Sequence, residues 1–411
     1  MILEYSVKNT YSIGEKQTIS FEPTIFNEND ALHYIDVDGK KILKLACIYG
    51  ANAAGKTNMA IALNFYLNFM TYSFYSMRPK TEIPFVPYCF ENEKIEDVNG
   101  EFELVFYIFN SDEGKFIKYN YFLKLNKKQI EEESLSYYPK KLPRLVFKRL
   151  GQKIEWGPSV KGAKKSIEDI ILPNCTVISA SSKTNLNLVK DVFFYISNRI
   201  RKYINPFNNR VSQTLLEKLD TDKSFNEKAT GLLSLADFGS VSNIEIKKET
   251  KEFDSQESVI RQASVVHKYN GKKFALPLGL ESAGTLRILE LVEPLIDSSL
   301  SSMSIIDELE ASLHQDLLES FLRLFIELST NSQLLFTTHN QELLDSGLLL
   351  DDEVWFCYKT DEGNSVYNSI SDYSGIRKET SRKKLYQAGK FGALPNIDIQ
   401  SLKDLFYAKK N

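Results

Sequence analysis

The first forty residues alternate apolar and polar positions in short runs: Ile2, Tyr5 and Val7, then Thr18, Ile19 and Phe21. Gly14, Pro23 and the pair Asp38-Gly39 interrupt them. Period-two alternation cut by turn residues predicts β-hairpins. The pattern then changes. Residues 42–49 form a mainly apolar run ending at Gly50, and from Thr57 apolar residues recur with helical spacing at Met59, Ala62, Phe65 and Phe69. A strand, a loop and a helix are expected in that order. Strand-like stretches return at 102–109 and 118–125. Residues 184–237 read as helices with an apolar stripe through Leu188, Val192, Tyr195, Ile196 and Ile200. A hairpin is predicted where 264–269 and 273–278 flank Asn270-Gly271, since Asn-Gly supplies the positive φ angles of a two-residue turn. Beyond it, a helix over about 284–296, a strand at 303–306, a helix at 312–328 and a strand at 333–337 give the crossover pattern of a parallel sheet.

These blocks imply an α/β fold with a mixed or parallel sheet, an N-terminal antiparallel β part and an inserted mixed, partly helical lobe. The boundaries fall at 1–150, 151–240 and 241–411, the outer two segments forming one core. At 411 residues and 43% hydrophobic content, size is no obstacle to such a core. Lys plus Arg number 51 and Asp plus Glu 54, a net charge of -3, so no global field draws the chain to nucleic acid, and any such contact needs a local patch. Cys47, Cys89, Cys175 and Cys357 form no C-x-x-C pair and the four histidines do not cluster with them, which predicts reduced thiols and no structural zinc. The start MILEYSVKNT lacks a basic region followed by an apolar one, and no eighteen apolar residues run together. The expectation is a cytoplasmic protein with no membrane partner.

Candidate chemistry lies at both ends of the chain. Gly50-Ala51-Asn52-Ala53-Ala54-Gly55-Lys56-Thr57 matches G-x-x-x-x-G-K-[ST], whose backbone N–H groups cradle phosphates while Lys56 reaches the β and γ oxygens and Thr57 offers a hydroxyl to magnesium. Asp307-Glu308 follows the apolar run Met303-Ser304-Ile305-Ile306, as in a Walker B motif: Asp307 toward magnesium, Glu308 as general base for water. An Asp-Glu pair also suits a solvated helix start; its place downstream of a P-loop favours the catalytic reading. ATP and Mg2+ are the implied ligands.

Glu281-Ser282-Ala283-Gly284-Thr285 opens a predicted helix, where Ser282 suits an ordinary N-cap. The run also resembles the signature of the SMC and RecF branch of ABC ATPases, which presents a Ser and a Gly-rich helix start to the γ-phosphate held by a partner subunit. Ala311-Ser312-Leu313-His314 resembles that branch's D-loop, and Thr337-Thr338-His339-Asn340 its switch histidine. The resemblance implies an ABC-type P-loop ATPase core. Lys56, Glu308 and His339 would be catalytic, Thr57 and Asp307 would bind metal, and Gly50, Asn52, Ala53, Ala54, Gly55, Ser282, Gly284 and Ser312 would join the nucleotide site. A Q-loop glutamine is missing; Pro87-Tyr88-Cys89-Phe90 occupies its position. The combination further resembles stand-alone bacterial AAA-family ATPases of phage-defence operons, of the abortive-infection, RloA-like and PARIS types, down to the ending Tyr386-Gln387-Ala388-Gly389-Lys390-Phe391-Gly392-Ala393-Leu394-Pro395, for which the sequence suggests no chemistry.

The resemblance implies a nucleotide-driven switch: a homodimer, or an assembly of dimers, that controls an effector protein encoded nearby. The competing reading is a DNA repair or chromosome-structure ATPase acting on nucleic acid, although no heptad arm is present. The basic segment Arg377, Lys378, Arg382, Lys383 and Lys384 suits a solvated helix face, with a phosphate-backbone contact as its alternative. A transporter subunit is disfavoured by the long stretch between Thr57 and Glu281. A self-contained nuclease is disfavoured because Asp36-Val37-Asp38, the one tempting acidic pair, runs into Gly39 as a turn.

Overall fold

The computed structural model describes residues 1–90, 95–206, 211–236, 240–253, 256–296, 302–377, 379–394 and 399–407. Lys378 and Pro395, singled out above, lie outside the described residues. The predicted strand–loop–helix is present as the strand Leu45–Gly50, the P-loop and the helix Lys56–Ser76. The apolar run at 42–49 belongs to two strands, because Lys44 turns its ammonium to the Ile326 carbonyl at 2.9 Å and separates Lys40–Leu43 from Leu45–Gly50.

Leu45–Gly50 is buried at every position, as expected of a strand covered on both faces. It lies inside a six-stranded sheet, between Gln333–Thr338 and Val354–Lys359, parallel to both. Met303–Ile306 pairs parallel to Gln333–Thr338 on one side, then Ile200–Ile204 follows. Ser365–Ser369 closes the other edge antiparallel. Five strands therefore bring their carboxyl ends to one edge, the place where open α/β sheets present ligand sites. The strand Ile200–Ile204 was read from sequence as helix, because Ile196 and Ile200 have i,i+4 spacing; the helix instead stops at Arg199.

A second, seven-stranded sheet is wholly antiparallel and contains Ile2–Lys8, Gly100–Asn110 and Lys115–Leu125. It packs with helix Lys56–Ser76 into a core rich in stacked aromatics, Tyr66 lying over Phe102 and Tyr121. Gln333 ties the two sheets together: its amide accepts from Ile2 N–H at 2.7 Å and donates to the Ile2 and Leu43 carbonyls. The Asn270-Gly271 hairpin is present, φ +50° and +75°, joining Gln256–Tyr269 to Lys272–Pro277. This three-stranded sheet shares a third core with helices Gln213–Thr221, Lys223–Ala236 and Ala283–Ile296, whose members run from Leu215 to Val292. Asp36 and Asp38 sit at a hairpin turn, Asp36 accepting from Gly39 N–H. Among the described residues no helix is long and apolar enough to cross a membrane.

Candidate functional site

The P-loop changes direction through Ala53 (φ +62°) and Gly55 (φ +117°). At Gly55 the conformation alone favours glycine, and a Cβ there would lie 2.2 Å from Ser365 Oγ. A Cβ on Gly50 would lie 2.4 Å from the Cys357 carbonyl, so the loop is pressed against the neighbouring strand. Asn52 and Ala53 are exposed at the tip, and Ala54 is buried. Lys56 is buried and donates to the Gly50 and Ala51 carbonyls, both at 3.0 Å, folding its ammonium back over the loop. Desolvation lowers its pKa, against the pull of nearby carboxylates including Asp307 and Glu308.

Asp307 stands at the end of its strand, 1% exposed, and its carboxylate gathers donors from three elements. Thr57 Oγ1 donates to its two carboxylate oxygens at 3.0 and 3.1 Å, Thr337 Oγ1 at 2.6 Å, and Tyr203 OH at 3.4 Å. Thr337 Oγ1 in turn accepts from Glu308 N–H at 2.8 Å. Glu308 adopts φ +45°, which turns it out of the strand. Burial raises its carboxyl pKa, and the charges of Asp307 and Glu310 add to that. A carboxylate lifted toward neutrality is better matched to take a proton at physiological pH. His339 is exposed beyond the adjacent strand; its N–H donates to Glu310, and desolvation followed by the charge of Lys56 lowers its imidazole pKa.

The signature run behaves differently. Ser282 is exposed and its hydroxyl caps its own helix, accepting from Thr285 N–H at 3.0 Å; the hydrogen bonds described for it all stay within that helix. Gly284 backs onto the D-loop, where a Cβ would stand 3.1 Å from the Ser312 carbonyl. Ser312 itself has φ +61°, so the helix expected from 312 begins at Gln315, with His314 as N-cap. The structure thus gathers Lys56, Thr57, Asp307, Glu308 and His339, and leaves Ser282 facing outward.

Sequence reasoning missed Arg287, Tyr203, Thr337 as a hydrogen-bonding partner, and the hairpin beneath the loop. Arg287 is 4% exposed and its Nη2 donates to the carbonyls of Asp307 at 3.0 Å and Glu308 at 2.7 Å. The one sequence signal was an arginine in line with Leu291 and Pro294 on the buried face of an apolar helix. The ending Tyr386 to Leu394 acquires a structural place: Phe391 stacks on Phe356 with centroids 4.0 Å apart, and Tyr386 OH donates to the Ala393 carbonyl. Residues 392–394 and the P-loop tip line an open cleft of about 400 Å³ with Tyr358 and Lys359. In the basic segment, Arg382 is paired with Asp351 at 2.7 Å and Lys383 with Glu342 at 2.6 Å, which offsets two of its charges. At the Q-loop position, Tyr88 is buried and its N–H donates to the Asn9 carbonyl, so this stretch braces the turn after the first strand.

Magnesium fits the donors. Thr57 and Asp307 offer hard oxygens only, and no cluster of three or more His, Cys, Asp or Glu metal ligands occurs among the described residues. Such a pair suits an ion that keeps several waters and shares substrate phosphates rather than one held in an all-protein cage.

A strand that ends in a P-loop, separated by a single strand from one that ends in an acidic pair, defines a P-loop ATPase of the AAA class. The chain belongs to the family described as "AAA domain, putative AbiEii toxin, Type IV TA system", whose model matches residues 45–345. This agrees with the abortive-infection resemblance of its motifs. Among solved structures the chain is similar to the SMC head domain from Thermotoga maritima, at 16% identity over 90% of this chain and 98% of that one, TM-score 0.39. It is also similar to an SMC head bound to the C-winged helix domain of ScpA (14%, 94% and 99%, TM-score 0.43). A third is the Smc head domain with an extended coiled coil bound to the C-terminal domain of ScpA derived from Pyrococcus furiosus (13%, 95% and 98%, TM-score 0.41). No curated protein matches.

Proposed function

We propose that the chain binds ATP with magnesium at Gly50 to Thr57 and Asp307, hydrolyses it with Glu308 as general base, and uses the cycle as a dimer switch controlling an effector in bacterial antiphage defence. The observation that carries the catalytic part is the Thr57–Asp307 hydrogen bond at 3.0 Å, which joins two motifs 250 positions apart and sets Glu308 beside them. The loop amides and helix N-terminus receive the phosphates, and Lys56 exchanges its two carbonyl partners for phosphate oxygens. Magnesium, when bound, neutralises charge on the phosphates. Glu308 takes the proton of the attacking water, and the neutral His339 lies toward the same edge as a hydrogen-bonding group for the γ-phosphate. Ser282, exposed on its helix cap, supports a site shared with a second copy. The defence role rests on the family and on the motif resemblance, and the three segments divided near 150 and 240 remain our proposed organisation.

The test is a pair of substitutions. Lys56→Ala should abolish tight ATP binding, whereas Glu308→Gln should bind ATP and fail to turn it over. Equal turnover in Glu308→Gln and the unsubstituted protein would sink the base assignment. For the effector, the ATPase alone should leave DNA and RNA intact; metal-dependent cleavage by the purified chain would overturn a separate effector.

A further inference from the structure

We propose that Ser365 and Tyr367, on the edge strand of the central sheet, are positioning residues that aim the P-loop amides at the nucleotide's phosphates. The inference rests on the P-loop reading above and concerns what holds the loop in shape.

The sheet register puts this pair under the loop. Cys357 lies beside Gly50 in the parallel pairing, and Tyr367 lies beside Cys357 in the antiparallel one. From there Tyr367 OH donates to the Gly55 carbonyl at 2.6 Å, and Ser365 Oγ donates to the Ala54 carbonyl at 2.5 Å. Cys357 Sγ, at 3.3 Å, adds a weak donor to the same Ala54 oxygen. All three side chains are buried, as is Ser12, whose hydroxyl lies 2.6 Å from Ser365 Oγ. Because Ser365 spends its proton on Ala54, Ser12 must be the donor between the two hydroxyls. Ser12 in turn accepts from Asn58 Nδ2 at 2.7 Å. The relay therefore has one direction, from the helix, through two serines, to the loop carbonyl.

The consequence follows from peptide geometry. In a trans peptide the carbonyl and the N–H of one unit point opposite ways. Fixing the Ala54 carbonyl onto the hairpin turns the Gly55 N–H to the other side, and fixing the Gly55 carbonyl does the same for the Lys56 N–H. That other side is the open face at the start of helix Lys56–Ser76, where anion-binding amides must point. Gly55 must lack a Cβ here because the Ser365 hydroxyl occupies its place, 2.2 Å away. The hydrogen bonds that Ser365 and Tyr367 make to the P-loop go to its backbone carbonyls.

The test compares Tyr367→Phe, Ser365→Ala and their double variant by calorimetric titration with ADP and with inorganic pyrophosphate, alongside steady-state turnover of ATP. Each single change should raise the ADP Kd roughly five-fold, and the double about twenty-fold, the scale of one or two lost hydrogen bonds. Pyrophosphate affinity should fall in parallel. Binding stoichiometry should be unchanged and kcat at saturating ATP should stay within about two-fold, so that the effect lies in KM. Unchanged Kd with fewer competent sites would mean that the pair only holds the fold, and would overturn the proposal, as would a fall in kcat at constant KM. If the double variant does not fold, Tyr367→Phe decides alone, because it removes one oxygen at constant shape. Lys56→Ala separates the two levels: if it binds ADP normally the P-loop reading itself fails, whereas if it loses binding while the double variant binds normally, only the positioning role fails.

Discussion

The hydroxyls around Asp307 and the missing Cβ of Gly55 set the tolerance of the site residue by residue. Gly55→Ala must hold a side chain at φ +117° and displace Ser365 Oγ, so we expect a stability loss of about 1–3 kcal/mol in chemical denaturation and loss of measurable ATP binding. Arg287→Met keeps much of the buried stem and leaves the Asp307 and Glu308 carbonyls without their charged donor. ATP affinity should stay within about three-fold while kcat falls roughly ten-fold or more, the scale of a hydrogen bond to a charged group. Equal loss in binding and turnover would count against a role confined to the Glu308 turn. Lys56, Thr57, Asp307 and Glu308 were legible because each belongs to a contiguous motif whose spacing is its function. Arg287, Tyr203, Ser365 and Tyr367 were not, because each acquires its role only where separate elements of the fold meet.

Elements are joined by two ion pairs that no motif announces, one fully buried and one with its histidine half-buried. Arg149 and Glu133 are both fully buried; Arg149 also donates to the Cys175 and Leu172 carbonyls, and Glu133 accepts from Val177 N–H, which pins the seven-stranded sheet to the helix Val177–Ser181. Arg149→Met should cost on the order of 3–5 kcal/mol in denaturant unfolding, since it strands a buried carboxylate. The second pair joins the 3-10 turn Glu28–His33 to the turn Asp351–Glu353, with His33 Nδ1 3.0 Å from Glu353. Burial lowers the His33 pKa, but the hydrogen bond and charge of Glu353, helped by Asp30, outweigh burial and Lys44 and leave it raised. Burial pushes Glu353 up as well, against His33 and with Asp352. A raised histidine contributes its stability fully below its unfolded value of 6.5 and loses it as pH rises through the folded value. The unfolding free energy should therefore decline from about pH 6.5 upward, and His33→Asn should flatten that slope; a slope that survives would place the titration elsewhere. The Asn-Gly hairpin and the helices were legible because local periodicity decides them. The strand Ile200–Ile204 was not, since it is short, follows a helix without a break and is fixed only by pairing with Met303–Ile306.

At the scale of the whole molecule, Ser282 and Lys56 should complement each other across a dimer. A Lys56→Ala chain keeps its signature and a Ser282→Arg chain keeps its P-loop, so a mixed dimer holds one unsubstituted site and one doubly damaged site. Random exchange makes about half the dimers mixed, and independent sites would restore roughly a quarter of normal turnover. No recovery despite demonstrated exchange would mean a site built within one chain, or two that must fire together. The order of strands in the central sheet has a separate consequence, for how the protein is made. Leu45–Gly50 leaves the ribosome early, yet both of its neighbours, Gln333–Thr338 and Val354–Lys359, arrive about 300 residues later, which at 5–20 residues per second is roughly 15–60 s. Through that interval a fully apolar strand has both edges open, the condition that invites wrong pairing. Nascent chains arrested near residue 345 should not retain nucleotide, whereas chains released past the hairpin that ends at Ser369 should. A cell whose translation is interrupted midway would accumulate inert fragments in place of partly active ATPase.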